Sequence, residues 1–254
     1  MRAPWRAGPE LLRTRFRDAV PRRRGLTVAL VGADGAGKSS LTKALEKADL
    51  PRPVKRIYMG VNLEASSLML PTTRALLAVK RARGRRPDLV ASPVSGDPAD
   101  PPGSTVAQAR RNAKAAARLL VWALEEWLRQ LVAFGYEARG WIVVFDRHFF
   151  ADYYQVDVAP TPGARSATSR LHGWMLRNLY PKPDLVLCLD APGEVLYARK
   201  PESSVDWLEA RRLQYLGLAE AVPALIVLDA TRPVDAVLRD AVDTISTYWK
   251  GVSL

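Results

Sequence analysis

The chain has 254 residues, 48% of them hydrophobic, and its 38 Lys and Arg against 26 Asp and Glu give a formal net charge of +12. That length and apolar share suit one sizeable α/β domain with a full core. The charge suits a polyanionic ligand such as a nucleoside triphosphate, and equally nucleic acid or an acidic membrane face.

Residues 1–25 are rich in Arg and Pro and read as a basic flexible arm, with one short helix expected from Glu10 to Ala19. The arm has arginines but no apolar core, so a secretory signal is not expected. A solvated role for it stands beside contact with nucleic acid or membrane. The apolar run Leu26–Val31 reads as a buried strand. It leads into Gly32-Ala33-Asp34-Gly35-Ala36-Gly37-Lys38-Ser39, which has the GxxxxGKS spacing of a phosphate-cradling loop. A helix is expected over 38–48. Glycines let the backbone close around a phosphate with its N–H groups inward, and the helix start adds a positive dipole end. Lys38 is placed to reach the β- and γ-phosphates, and Ser39 to offer a hydroxyl to Mg²⁺. Gly32, Asp34, Gly35, Ala36, Gly37, Lys38, Ser39 and Ser40 form the candidate nucleotide-binding set.

Residues 54–59 read as a second strand, ended by Gly60-Val61-Asn62. Charge gathers again in Lys80–Arg86, and the Pro-, Gly-, Ser- and Asp-rich stretch 84–104 reads as a mobile loop. A long helix is expected from Val106 to Phe134, with Leu119, Leu120, Leu124, Leu128 and Leu131 at helical spacing. Strands are expected at 141–145, 184–189 and 225–228, and a final helix at 233–249. Short apolar strands alternating with helices imply a parallel sheet covered on both faces. Ligands in such sheets sit at the carboxyl ends of the strands. Four polar groups fall there: the glycine loop, Asp146-Arg147, Asp190 and Asp229. An acid at Asp146 is placed to hold Mg²⁺, and Arg147 beside it to grip an acceptor phosphate bidentately.

Cys188, the only cysteine, lies in an apolar run and reads as a core filler; no disulfide can form within the chain, which fits a reducing cytoplasm. His148 and His172, with that one cysteine, make no metal cluster by spacing. Trp122, Trp127 and Trp141 read as core. No stretch approaches the ~18–20 apolar residues of a membrane span.

With these motifs in hand, the chain resembles the thymidylate kinase family of P-loop nucleoside monophosphate kinases. The resemblance rests on GADGAGKSS, on FDRH followed by Tyr153-Tyr154-Gln155, on PKPDLVLCLDAPGEVLYARK at 181–200, and on RRLQYLGLAE followed by LDATRPVDAVL. It covers residues 26–50 and about 115–249. It implies a three-layer P-loop NTPase fold over 26–254, with a five-stranded parallel sheet, helices on both faces and a lid. It implies ATP as donor, Mg²⁺ as cofactor, and a nucleoside monophosphate of the dTMP kind, or another small phosphate acceptor, as partner. A homodimer is one candidate assembly. The lid would span 199–212, where Arg199, Lys200, Arg211 and Arg212 are the cations available to the transferring phosphoryl group. Since Ala36 stands where some members carry Arg, the resemblance implies that a lid cation does that work here. The resemblance also assigns Asp34 to the acceptor's sugar hydroxyl, Arg147 to its phosphate and Asp146 to magnesium. One position departs from the pattern. The family's base-reading Arg falls, counted without a gap, on Glu125, with Arg118 or Arg129 as the alternatives if the helix shifts by a turn. A nucleotide-dependent binding or regulatory protein is the competing class.

Overall fold

A computed structural model describes residues 25–62, 66–82, 105–159 and 165–252. The arm 1–25, apart from Gly25, and the loop 84–104 therefore lie outside the described residues. In chain order the elements are β1 (Leu26–Val31), α1 (Lys38–Leu45), β2 (Val54–Tyr58), α2 (Pro71–Ala82) and α3 (Thr105–Ala138). Then come β3 (Ile142–Asp146), α4 (Phe149–Tyr153), a π-helical turn (Tyr154–Val158), α5 (Ala167–Asn178) and β4 (Leu185–Asp190). The chain finishes with α6 (Gly193–Arg199), α7 (Val205–Leu216), a 3₁₀ turn (Gly217–Glu220), β5 (Leu225–Asp229) and α8 (Val234–Val252). The five strands form one parallel sheet in the order β2-β3-β1-β4-β5. The five expected strands are present to within a residue at each end. Helices α2, α4, α5, α6 and α7 were not predicted.

Two compact units make up the described chain. The first holds the described residues of Met1–Arg56, Gly135–Phe145 and Lys182–Leu254. All six residues of β1 are buried, as a run of Leu, Thr, Val and Ala between two neighbouring strands must be. Val28 lies opposite Leu185 and Val31 opposite Cys188; across β4 and β5, Asp190 lies opposite Asp229. The carboxyl ends of β4 and β5 are thus level, each finishing in an acid. Leu30, Leu41, Leu187, Leu196, Leu208 and Ile245 belong to the core around them. At the other end of β1, Thr27 donates from its N–H and its hydroxyl to Asp184, at 2.9 and 2.6 Å, and the Tyr248 hydroxyl donates to the Asp184 carbonyl. Cys188 is a buried member of this core, and burial pushes its thiol up to about 12.

The second unit comprises Ile57–Phe134 and Asp146–Pro181 within the described residues. Here α3 corrects one expectation. The leucine spacing located the helix but not its buried face, since Leu120, Leu124 and Leu131 are 51–61% exposed. The side buried instead carries Trp122, Glu125, Glu126, Arg129 and Gln130. Aromatic packing supports that polar side: Trp122 meets Tyr153 edge to face at 6.4 Å, and Trp127 stacks on Tyr180 at 5.3 Å. Gly173 on α5 is required by contact, because a Cβ there would lie 2.0 Å from the Asp157 carbonyl oxygen.

Candidate functional site

The glycine loop in the first unit has the backbone that a phosphate cradle needs. Gly32, Gly35 and Gly37 take φ of 144°, 86° and 89°, in the region that disfavours other residues. A Cβ on Gly32 or Gly35 would also lie 2.6 Å from a backbone carbonyl, of Leu189 and Leu196 respectively. Gly37 is the N-cap of α1 and brings no side-chain cap, so the helix start keeps its N–H groups for an anion. The Lys38 ammonium lies back across the loop, donating to the Gly32 and Ala33 carbonyls at 2.7 and 2.8 Å, with Asp34 Oδ1 at 3.8 Å. Lys38 is only 5% exposed, and these partners hold its charge where a β- or γ-phosphate would lie.

Beside the loop is a cleft of about 430 Å³ whose walls include Gly35, Ser40, Arg199, Thr231 and Pro233. The turn from β5 to α8 is tightly made. Asp229 accepts from the Thr231 N–H and hydroxyl at 2.9 and 2.5 Å, and those bonds hold its carboxyl below the usual range. Arg199 donates to the Ala230 and Thr231 carbonyls at 2.7 and 3.4 Å. In the sequence LDATRPVDAVL carries only the resemblance; the structure makes its Thr231 and Pro233 cleft walls.

The expected lid, 199–212, consists of the end of α6, a short link and most of α7. Its cations are engaged by protein groups. Arg212 grips Asp190 with two bonds, at 2.5 and 3.0 Å, and Glu209 with a third at 2.6 Å. The bonds to Asp190 raise the guanidinium pKa, and Glu209 adds to the effect. Glu209 in turn accepts from the Gly193 N–H at 3.0 Å. Arg211 donates to Gln214 and Tyr215, and Lys200 pairs with Glu202 at 2.8 Å.

In the second unit, Asp146 ends β3 almost fully buried, and its carbonyl accepts from the Met59 N–H at 3.1 Å. Arg147 follows with φ 67°, the one left-handed non-glycine residue among those described. Such a conformation persists where surrounding structure enforces it, and it concentrates at functional sites. His148 caps α4, its Nδ1 accepting from the Phe150 N–H at 3.3 Å. Burial, aided by the Arg129 charge, pushes its pKa down to about 3, so the ring is neutral.

The polar side of α3 gathers around Arg129, which is fully buried. Its Nε donates to the Glu125 carbonyl at 3.1 Å and its Nη1 to the Gly60 carbonyl at 2.9 Å. Glu125 accepts the Leu70 N–H on Oε1 at 3.0 Å. Of the two alternatives to Glu125, Arg129 lies in this cluster, whereas Arg118 is half-buried. Trp122 packs with Leu77 as core, as its sequence setting suggests. Sequence reasoning missed a buried trio. His172 Nδ1 meets Asp157 Oδ2 at 2.7 Å and its Nε2 faces Glu126 Oε2 at 3.7 Å, while the Ser169 hydroxyl donates to Asp157 at 2.7 Å. Burial pushes the imidazole pKa down, but Asp157 and Glu126 outweigh it and hold it up to about 9. No local spacing marks this trio.

Comparison with known proteins agrees with this frame. No family model matches the chain. It is 25% identical over 240 residues to the uncharacterized ATP-binding protein YghS of Escherichia coli (strain K12), covering 86% of this chain and 91% of that protein. It is 29% identical over 117 residues to the probable thymidylate kinase of Archaeoglobus fulgidus, covering 43% of this chain and 55% of that one. Sheet, loop and relatives together define an α/β protein of the P-loop NTPase type. They define that class and not an acceptor. Among the described residues, no helix is long and apolar enough to cross a membrane.

Proposed function

We propose that the chain is a P-loop phosphotransferase that takes the γ-phosphate of Mg-ATP and passes it to a phosphorylated small molecule. Nucleoside monophosphates are the first acceptors to test. The observation that carries this reading is the preformed loop: three left-handed glycines, an uncapped helix start and a buried Lys38 beside a cleft large enough for the rest of a nucleotide. The printed names of the two relatives, one ATP-binding and one a probable thymidylate kinase, point the same way.

In this reading residues 26–254 act as one kinase domain. Gly32, Asp34, Gly35, Ala36, Gly37, Lys38, Ser39 and Ser40 hold the donor phosphates. Arg199 borders the donor, and Arg212 leaves Asp190 to meet the transferring group. Arg147 grips the acceptor phosphate. An acceptor oxygen bonds to the γ-phosphorus, and the bond from that phosphorus to the β–γ bridging oxygen breaks to release ADP. The exposed Ser39 hydroxyl and the Asp146 carboxylate are hard oxygen donors of the kind Mg²⁺ takes alongside phosphate and water. An ion held by either would neutralise phosphate charge.

Coupled detection of ADP with a panel of monophosphate acceptors tests the reading. Release that depends on an acceptor and on Lys38 supports it. Hydrolysis stimulated by nucleic acid and indifferent to every acceptor would favour a nucleotide-dependent binding protein instead. The specific observation on that side is the pairing of the lid arginines Arg199 and Arg212 with protein groups.

A further inference from the structure

Gly60 follows β2 and is buried, and its φ lies outside the left-handed range, so the backbone there does not call for glycine. Space does. A Cβ on Gly60 would lie 2.6 Å from the Tyr58 hydroxyl and 2.8 Å from Arg147 Cδ. Both side chains therefore close over one face of Gly60, with no room for a methyl group beneath them. The backbone under them is fixed on two sides. The Met59 N–H donates to the Asp146 carbonyl at 3.1 Å, and the Gly60 carbonyl accepts from Arg129 Nη1 at 2.9 Å. Gly60 is thus a seat that cannot drop away from what lies on it.

The two side chains on that seat are held differently. The Tyr58 hydroxyl accepts from the Asn62 N–H, which ties the ring to the turn after β2. Burial raises the phenol pKa while Arg147 pulls it down, so the group stays protonated at neutral pH. Asp152 and Asp146 act on the same phenol. Arg147 leaves β3 with φ 67°, a conformation that persists only where the surroundings over-determine it. Acids and a bound anion compete for a guanidinium in such a corner. A small shift of the stem therefore changes which oxygens its planar fork meets.

We propose that Gly60 and Tyr58 are positioning residues for Arg147. Gly60 is the bare seat over which the Arg147 stem is laid, Tyr58 is the stop beside it, and together they aim the guanidinium at the phosphate of a phosphomonoester. The use of that phosphate as acceptor rests on the phosphotransferase reading, but binding alone tests the aiming. Misplacing a binding group by about 1 Å can cost on the order of a hundredfold. The competing role for Gly60 is tight packing alone, which would act on folding and not through Arg147.

The experiment is calorimetric titration of the full chain with cytidine, deoxyguanosine and thymidine monophosphates, taken into the millimolar range, and the tightest binder is kept. It is repeated on Gly60→Ala, Tyr58→Phe and Arg147→Ala, and on each of the first two combined with Arg147→Ala. Every variant is checked for an unchanged circular dichroism spectrum. Gly60→Ala should weaken the monophosphate about tenfold or more, and Tyr58→Phe about threefold or more, the size of effect that coupled neighbours show. In the Arg147→Ala background both factors should shrink to less than about twofold, because both substitutions act through the one side chain. Tyr58→Phe keeps the ring and the bare glycine, so it decides the proposal if Gly60→Ala does not fold. Undiminished affinity in either folded variant overturns the proposal. So does a loss of equal size in both backgrounds, which would mean packing alone, or a wild type that binds none of the three ligands. Monophosphate binding without any transfer from ATP would remove the phosphotransferase reading and leave the positioning result standing.

Discussion

The two units of this chain handle charge in opposite ways. In the first, cations are met by nearby partners: Lys38 by two loop carbonyls and Arg212 by Asp190 and Glu209. In the second, ionisable groups are buried on a helix that turns Leu120, Leu124 and Leu131 outward, and several of their atoms have no hydrogen-bond partner among the described residues. A satisfied network rigidifies a site, whereas a partly satisfied one marks where something else must bind or be trapped. Each unit can be broken by a substitution that should leave the other intact.

The largest effect is expected at the second unit's buried trio. His172→Leu would leave Asp157 and Glu126 without the cation between them. Removing one member of a buried ion pair costs about 3–5 kcal/mol. Urea unfolding should show a loss of that size, with the midpoint and not the slope changed. A loss below about 1 kcal/mol would mean that the trio is solvated.

Next comes the donor loop. Lys38→Ala should lower phosphoryl transfer on the order of 10²–10³-fold, the size of effect seen when a transition-state donor is removed. Its circular dichroism spectrum should match that of the wild type, which keeps the loss of turnover separate from the loss of the buried bonds to the Gly32 and Ala33 carbonyls. Undiminished turnover by the folded variant would refute the donor-site assignment.

Arg147→Lys should be milder. Charge and the strained backbone are kept, while the planar fork that grips a phosphate bidentately is lost. One charge-assisted hydrogen bond, about 1.5–3 kcal/mol, corresponds to roughly ten- to a hundredfold in kcat/KM for the acceptor. ATP affinity should hardly move. The reverse pattern, ATP affinity lost and acceptor affinity kept, would put Arg147 on the donor side.

The two histidines of the second unit make a pH test. His172, held up to about 9 when folded, binds its proton more tightly than the unfolded chain does. Its contribution is complete below about pH 6.5 and is lost as pH rises through 9. His148, pushed down to about 3, stays neutral when folded. The unfolded chain takes up that proton below about pH 6.5, so stability falls as pH drops from there towards 3. Each limb has a slope of at most about 1.4 kcal/mol per pH unit. His172→Gln should flatten the alkaline limb and His148→Gln the acid one. Unchanged limbs would show that both rings titrate normally.

These contrasts also explain what could be read from the residues alone. β1, the loop and α1 were legible because their chemistry is local: an apolar run, three glycines and a lysine within a dozen positions. The sheet followed from short apolar runs of strand length. The second unit's cluster was not legible, because Glu126, Asp157 and His172 come from three separate elements and share no spacing. Periodicity misled at α3 for a related reason. Leucine spacing reports an apolar face, and the fold buries the polar face when aromatic rings and buried partners take it in. Arg199 and Arg212 were expected to serve the phosphoryl group; what sequence could not show was that Ala230, Thr231 and Asp190 hold them in this structure.

The smallest effect separates two roles for Arg212. Its pair with Asp190 is partly exposed, at 26% and 21% for the two side chains. Exposed and half-exposed pairs contribute about 0–1 kcal/mol, so Asp190→Asn should cost no more than that in stability. A neutral amide keeps one acceptor but releases the charge. If Arg212 serves the transferring phosphoryl group, it must leave Asp190 to do so, and a weaker hold lowers the cost of that move. The affinity for an ATP analogue should then rise up to about fivefold, which is about 1 kcal/mol. Arg212→Ala should reduce it. Cleavage within residues 199–216 should quicken in Asp190→Asn without nucleotide and slow again with the analogue, as closure orders the segment. If both variants alter melting temperature alone, and leave analogue affinity and cleavage unchanged, then Arg212 is a strut between α7 and β4. The phosphoryl charge would then fall to Lys38 and Arg199.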